Sequence, residues 1–212
     1  MKSLARFALR TAGLEQIGVF YGWSAISGWK KSLKSKAPVD NSGEPLPWYC
    51  YPFIHFLNQR LEELDATELR VFEYGSGNST LWWSKRVAHV TSVEDHNEWY
   101  DRIIQQKPDN VSYNLAAGRP DYIQCVAHQD VDFQIIIVDG SHREDCINVA
   151  LNKLTDDGVV ILDNSELDSV QKGIATLKTE GFRQIEFFGL GPVNGHPWGT
   201  SVFYRANNIL HI

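Results

Sequence analysis

This 212-residue sequence predicts a doubly wound α/β fold. The expected sheet has seven strands, mostly parallel with an antiparallel last strand, and a helical N-terminal extension precedes it. Three observations predict it. From about residue 69, short β-rich runs alternate with helical stretches, and strand–helix–strand repetition implies right-handed crossovers between parallel strands. Two runs, FQIIIVD (133–139) and GVVILD (158–163), are almost continuously apolar, the mark of strands covered on both faces. The last two runs are joined by GLGPVNGHPWG, a loop without a helix, so the chain returns there as a hairpin.

In chain order, residues 1–47 are basic and broken by Gly and Pro, and they end in KAPVDNSGEPLP, a turn-rich linker. Within this arm Leu4, Phe7, Leu14 and Ile17 fall towards one helical face, while Lys2, Arg6 and Arg10 repeat every four residues on another. Residues 48–65 open with WYCYPF and continue as a helix, because Phe53, Leu57, Leu61 and Leu64 recur on one face. Trp48, Tyr49, Tyr51 and Phe53 either wall a ligand or anchor this helix to the core. Residues 1–65 therefore form the extension and 66–212 the sheet domain. Its strands are RVFEY (70–74), HVTSVE (89–94), VSYNL (111–115), the two apolar runs, QIEFFG (184–189) and TSVFYR (200–205). STLWWSKRV, NEWYDRII and REDCINVALNKL supply helices between them.

Composition narrows the function. Hydrophobic residues make up 43% and charged residues 22%, which excludes wholesale disorder and fibrous classes. Cys50, Cys125 and Cys146 are odd in number and outside any CxxC pair, which argues against a disulfide framework or zinc finger and for a reducing, cytoplasmic location. The longest uncharged stretch, Gln16 to Trp29, holds 14 residues, short of the ~20 apolar residues a spanning helix needs. Arg6 and Arg10 interrupt the early apolar residues, so no secretory signal is expected. Residues 1–36 carry net +6, and the remainder carries −12 within a total of −6. An acidic body of this kind is a poor nucleic-acid binder. The basic arm either docks on an anionic membrane or folds back with its apolar side on the domain. GVFYGWSAISGW looks like a segment draped on protein, so folding back is the expectation.

The first strand runs into Glu73-Tyr74-Gly75-Ser76-Gly77-Asn78-Ser79-Thr80. Gly-x-Gly between a strand and a helix allows a sharp turn, close approach to a ligand, and free N–H groups for an anion; a plain turn with a helix cap is the alternative. Thr80 stands where a dinucleotide fingerprint has its third glycine. Glu73 would repel a pyrophosphate at this loop but attract the ammonium and sulfonium of S-adenosylmethionine. Glu94 ends the second strand 19 positions after Gly75, where a ribose diol finds an acceptor, and as a strand-end acid it is expected to add little to the core. A neighbour, Asp95 or Asn97, is a candidate helix cap.

EYGSGNSTLWWSKRVAHVTSVEDHNEWY resembles the first two motifs of class I S-adenosylmethionine-dependent methyltransferases, Rossmann-like enzymes. IIIVDGSHREDCINVALNKLTDDGVVILDNSE is similar to the fourth and fifth strands of their small-molecule O-methyltransferase branch, and FGLGPVNGHPWGTSVFYR to the closing hairpin. The resemblance covers roughly residues 68–206. It implies a donor site of Glu73, Gly75, Gly77, Ser79, Glu94, Asp121, Tyr122 and Asp139, with Tyr122 stacking on adenine, lining the acceptor pocket or simply packing. It implies methyl transfer to an oxygen, less readily a nitrogen, of a small-molecule or glycan-type acceptor. Catechol-type members hold Mg²⁺ with residues matching Asp139, Asp163 and Asn164, but His142 stands where they carry a lysine base. Asp-Asn-Ser is equally an ordinary turn composition.

Ligands of open α/β sheets sit beyond the carboxyl ends of the strands. There His142, one turn beyond Asp139, is a candidate general base, or else a residue at the start of the helix REDCINVAL. His196 and Trp198 in the last loop reach towards the same mouth, and the other histidines show no metal-ligand spacing. Two rival functions remain. A nicotinamide-dependent oxidoreductase would want the missing glycine, and Tyr100, Tyr113 and Tyr122 are not followed at four positions by a lysine. A non-catalytic cofactor-binding or scaffold protein would keep the same fold. Oligomeric state is left open.

Overall fold

A computed structural model describes residues 10–212 of the chain, so Lys2, Leu4, Arg6 and Phe7 lie outside the described residues. The strands are β1 (Arg70–Tyr74), β2 (His89–Glu94), β3 (Val111–Leu115), β4 (Phe133–Val138), β5 (Leu154–Asp163), β6 (Arg183–Gly189) and β7 (Trp198–Tyr204). They form one sheet in the order β3-β2-β1-β4-β5-β7-β6. β1 to β5 pair in parallel, and β7 runs antiparallel to both β5 and β6. The chain steps outward from β1 to β3 and then returns to lay β4 beside β1. That reversal opens a crevice at the carboxyl ends of β1 and β4.

Period-two alternation sends the strand residues to two cores. Val71, Ile135, Ile137, Val159 and Ile161 pack on one face, and Phe72, Ile136, Val138, Val160 and Leu162 on the other. The helices are α1 (Glu15–Ile26), α2 (Trp29–Ser35), α3 (Tyr51–Glu63), α4 (Asn78–Ser84), α5 (Asn97–Ile104), α6 (Arg119–Gln124), α7 (Arg143–Ala150) and α8 (Gln171–Thr179). α3 begins with Pro52 in its first turn, where a missing N–H costs nothing. It buries Phe53, Ile54, Leu57 and Leu61 in the first core. The entry to α3 is pinned by Tyr51 N to Leu190 O (2.8 Å) and Cys50 N to Thr200 Oγ1 (3.2 Å). Residues 48–65, counted with the extension on sequence grounds, thus cover one face of the sheet.

The arm is tied down through α2. Gly28 has φ 82°, and a Cβ there would come within 2.6 Å of the Asp40 backbone. Ser32 is buried; its Oγ donates to Val39 O (2.7 Å) and accepts from Val39 N (3.0 Å). Trp29 Nε1 donates to Asn194 O at 2.9 Å, across 165 residues of sequence. α1 departs from the expectation of a draped segment. Phe20 meets Trp29 and Trp23 meets Tyr51, with ring centroids 5.4 and 5.5 Å apart, but Ile17, Val19, Tyr21 and Ile26 face outward. Among the described residues no helix is long and apolar enough to cross a membrane. The three cysteines are free and buried.

Candidate functional site

The turn after β1 is shaped by contact with the turn after β4. Gly75 has φ 87°, and a Cβ on it would lie 3.0 Å from Asp139 O and from the Gly140 backbone. On the other side, a Cβ on Gly140 would lie 2.0 Å from Tyr122 Oη and 2.8 Å from Gly75 N. Glycine is required on both sides because the loops touch. Thr80, in the place of a third glycine, braces the turn: its Oγ1 accepts from Gly77 N (3.1 Å) and donates to Glu73 Oε2 (2.5 Å). Glu73 is fully buried and also accepts from Ser92 Oγ (3.2 Å). Burial pushes its carboxyl up to about 7, against the lowering effect of these hydroxyls. Glu73 therefore sits beneath the turn, outside the wall of the neighbouring cavity.

That cavity, about 640 Å³, opens beyond the ends of β1, β2, β4 and β5. One half is walled by Gly75 to Ser79, Glu94 and Trp99. Glu94 is buried and fully engaged. Its Oε1 accepts from Asp95 N (3.1 Å) and His96 N (3.0 Å), and its Oε2 from Ser76 N (3.1 Å) and Ser76 Oγ (2.7 Å). One carboxylate thus holds the start of α5 and straps down the glycine turn. Trp99 Nε1 donates to Ser76 O, and a Cβ on Gly77 would touch the Trp99 ring at 3.4 Å.

The other half is acidic with one cation. Asp139 and Asp163 line it beside Arg143 and Asn164, and Pro38, Trp48, Asn194 and Trp198 close it from the extension and the last loop. Asp163 Oδ1 accepts from Trp198 Nε1 (3.1 Å) and Thr200 Oγ1 (2.5 Å). Burial, together with the charge of Asp139, holds Asp163 protonated well above the usual carboxylate range. Burial also raises Asp139, while the Arg143 guanidinium and a hydrogen bond from Asp163 pull it back. The two therefore titrate as a pair.

Arg143 bridges the ends of β4 and β5. Its Nε donates to Gly140 O (2.9 Å), its Nη1 to Asn164 Oδ1 (2.9 Å) and to Asp163 O, and its Nη2 lies 3.4 Å from Asp139 Oδ1. The structure does bring Asp139, Asp163 and Asn164 together, but these residues do not fit Mg²⁺. A guanidinium is bonded to the Asp139 and Asn164 oxygens, and Asp163 Oδ1 is taken by Trp198 and Thr200. A hard dication needs those oxygens free.

Three other expected residues fall elsewhere. His142, with φ 53° ahead of α7, is exposed and lines a separate hollow with Arg119, Glu144 and Asp145. Asp121 is exposed on α6, away from the cavity wall. Tyr122 is fully buried against Tyr74, ring centroids 5.6 Å apart, with its hydroxyl over Gly140, so it packs instead of stacking on a ligand. The aromatic cluster divides: Tyr49 and Phe53 are core, whereas Trp48 faces the cavity. His196 is exposed, outside the wall, while Trp198 forms part of it. Sequence reasoning missed Arg143, Trp99, Gly140, Pro38 and Asn194. The i, i+4 pairing of Asp139 with Arg143 was the one available signal.

No family model matches the chain, and no curated protein matches it by sequence. Solved structures do match in shape. An O-methyltransferase from Bacillus cereus, in complex with SAH, is 16% identical with a TM-score of 0.58, over 84% of this chain and 91% of that one. Precorrin-6y C5,15-methyltransferase from Geobacter metallireducens is 15% identical with a TM-score of 0.55, over 70% and 86%. An rRNA methylase from Streptococcus thermophilus is 18% identical with a TM-score of 0.54, over 72% and 96%. These likenesses are of fold, and the names carry different chemistries. The fold of this chain is the Rossmann-like fold of class I methyltransferases.

Proposed function

We propose that the chain is an S-adenosylmethionine-dependent methyltransferase acting on an oxygen of a small-molecule or glycan-type acceptor. The observation that carries the reading is the division of one cavity into two halves. The glycine turn and Glu94 line one, and a proton-sharing Asp139–Asp163 pair beside Arg143 lines the other. Bound S-adenosylmethionine supplies a methyl group already activated by its positive sulfur. The chain's part is to align the acceptor and take its proton. Glu94 offers the acceptor oxygens for a ribose diol, at the edge now held by the Ser76 hydroxyl. The N–H groups at the start of α4 offer donors to a carboxylate.

Trp48 and Trp198 supply flat walls for the acceptor. In its ionised form Asp139 accepts the hydroxyl proton while Asp163 stays protonated, and Arg143 stabilises charge developing on the acceptor oxygen. The residues that would hold the donor are Glu94 and the glycine turn, and it would supply the methyl group to the oxygen that Asp139 deprotonates. The exposure of His142 in the neighbouring hollow supports Asp139 as the base in this reading. The −12 charge beyond the arm supports a small acceptor over RNA.

Calorimetry with S-adenosylmethionine, S-adenosylhomocysteine and NAD tests the donor site. The two sulfur compounds should bind and NAD should not; binding of NAD alone overturns the reading. With an acceptor in hand, Asp139→Asn should lower kcat by about 10²–10⁴-fold, the usual reach of a general base. It should leave binding of S-adenosylhomocysteine in place.

A further inference from the structure

Helix α1 exposes Ile17, Val19, Tyr21 and Ile26 at 62, 65, 59 and 79%. Ile17 and Tyr21 lie one turn apart on one side of the helix and Val19 and Ile26 on the other, and exposed apolar side chains in this number mark a place of contact. Beside it runs a hollow of about 670 Å³, walled mostly by apolar side chains such as Phe20, Trp23, Ile26 and Tyr51 together with Asp40 and His55, so α1 leans on the domain without closing against it. Cations stand beside this surface. Lys30, Lys31, Lys34 and Lys36 are exposed on and just after α2, and no acid occurs between Gln16 and Lys36. Lys30 Nζ sits 4.6 Å from the Tyr21 ring centroid and donates to Tyr21 Oη at 2.8 Å, which makes the cationic and apolar surfaces continuous.

We propose that α1 and α2 form a docking surface for an anionic lipid bilayer. The dimensions suit lying in the interface: twelve residues extend about 18 Å, well short of the ~30 Å hydrocarbon layer. Tyr21 and Trp23 are the aromatic types that settle at headgroup level. The hollow beside α1 is mostly apolar, as packing of an acyl chain requires. Two other occupants fit less well. A symmetric contact with a second copy would set one lysine cluster against the other. RNA would answer the lysines and leave the aliphatic surface in water. The −12 remainder of the chain is repelled by the same membrane, so it faces away and the arm alone makes contact.

Sedimentation of the full chain with vesicles tests this. It should pellet with phosphatidylcholine vesicles containing phosphatidylglycerol, far less with phosphatidylcholine alone, and binding should weaken as salt rises. Each cation is worth roughly a fivefold gain in partition. Combining Lys30→Glu, Lys31→Glu and Lys34→Glu should therefore weaken binding by more than about a hundredfold. Combining Ile17→Ser, Val19→Ser and Ile26→Ser should abolish it with Tm unchanged, since these side chains are exposed. Failure of the full chain to bind vesicles, or undiminished binding of the lysine variant, overturns the proposal. So does a dimer that the serine variant dissolves, or retention of RNA without vesicle binding.

Discussion

Glu73 is a carboxylic acid in a place that disfavours its charge. Its folded value near 7 lies above the ordinary 4.5, so its protonated form favours the folded state. That contribution is complete below about 4.5 and is lost as pH rises through about 7. Glu73→Gln keeps an acceptor for Thr80 and removes the titration. The variant should match the parent near pH 4.5 in urea unfolding and exceed it by about 1–3 kcal/mol at pH 8. Glu94 behaves differently. The sequence presents it as a strand-end acid with little weight in the core, yet four hydrogen bonds converge on it. Glu94→Ala should cost about 1.5–3 kcal/mol of stability as well as donor affinity, measured by denaturant unfolding and calorimetry. Arg143→Met removes the cation that lowers Asp139, so the acidic limb of kcat/KM should move to higher pH. At this scale the sequence was half legible. It marks residue types at strand ends, but whether an acid faces the cavity or lies beneath the turn depends on the pleat and on the neighbouring loop.

Single elements were far more legible. Each β-rich run became a strand, because uninterrupted apolar runs and period-two alternation have few other stable uses. β5 begins at Leu154, ahead of the expected Gly158, because its register against β4 shifts between Phe133 and Ile135. No hydrophobic pattern announces such an irregularity. The contact of the β1 and β4 turns was also hidden, since it joins residues 65 positions apart, Gly75 and Gly140. Gly140→Ala should destabilise by about 1–3 kcal/mol, the usual cost of overpacking. Tyr122→Phe removes the hydroxyl it would strike. The pair should therefore be less destabilised than Gly140→Ala alone, with coupling of about 0.5–2 kcal/mol in a double-mutant cycle.

For the whole molecule, the order in which the chain adds its parts governs what can be cut away. Removing residues 1–26 takes off α1 with its Phe20–Trp29 and Trp23–Tyr51 contacts, and should cost about 1–2 kcal/mol. Removing 1–36 also takes Ser32 and Trp29 with their hydrogen bonds to Val39 and Asn194, and should cost about 2–3 kcal/mol in denaturant unfolding. The sequence does not separate the two uses of the arm, because an apolar, aromatic segment looks the same whether it covers protein, as α2 does, or stands exposed, as much of α1 does. The bond from Trp29 to Asn194 links that arm to the cavity wall. Coupling between two binding events is reciprocal. If seating α1 on a surface steadies the Asn194 loop and tightens the hold on an acceptor, filling the cavity must tighten the seating by the same factor. One hydrogen bond would then let each end of the molecule register the occupancy of the other.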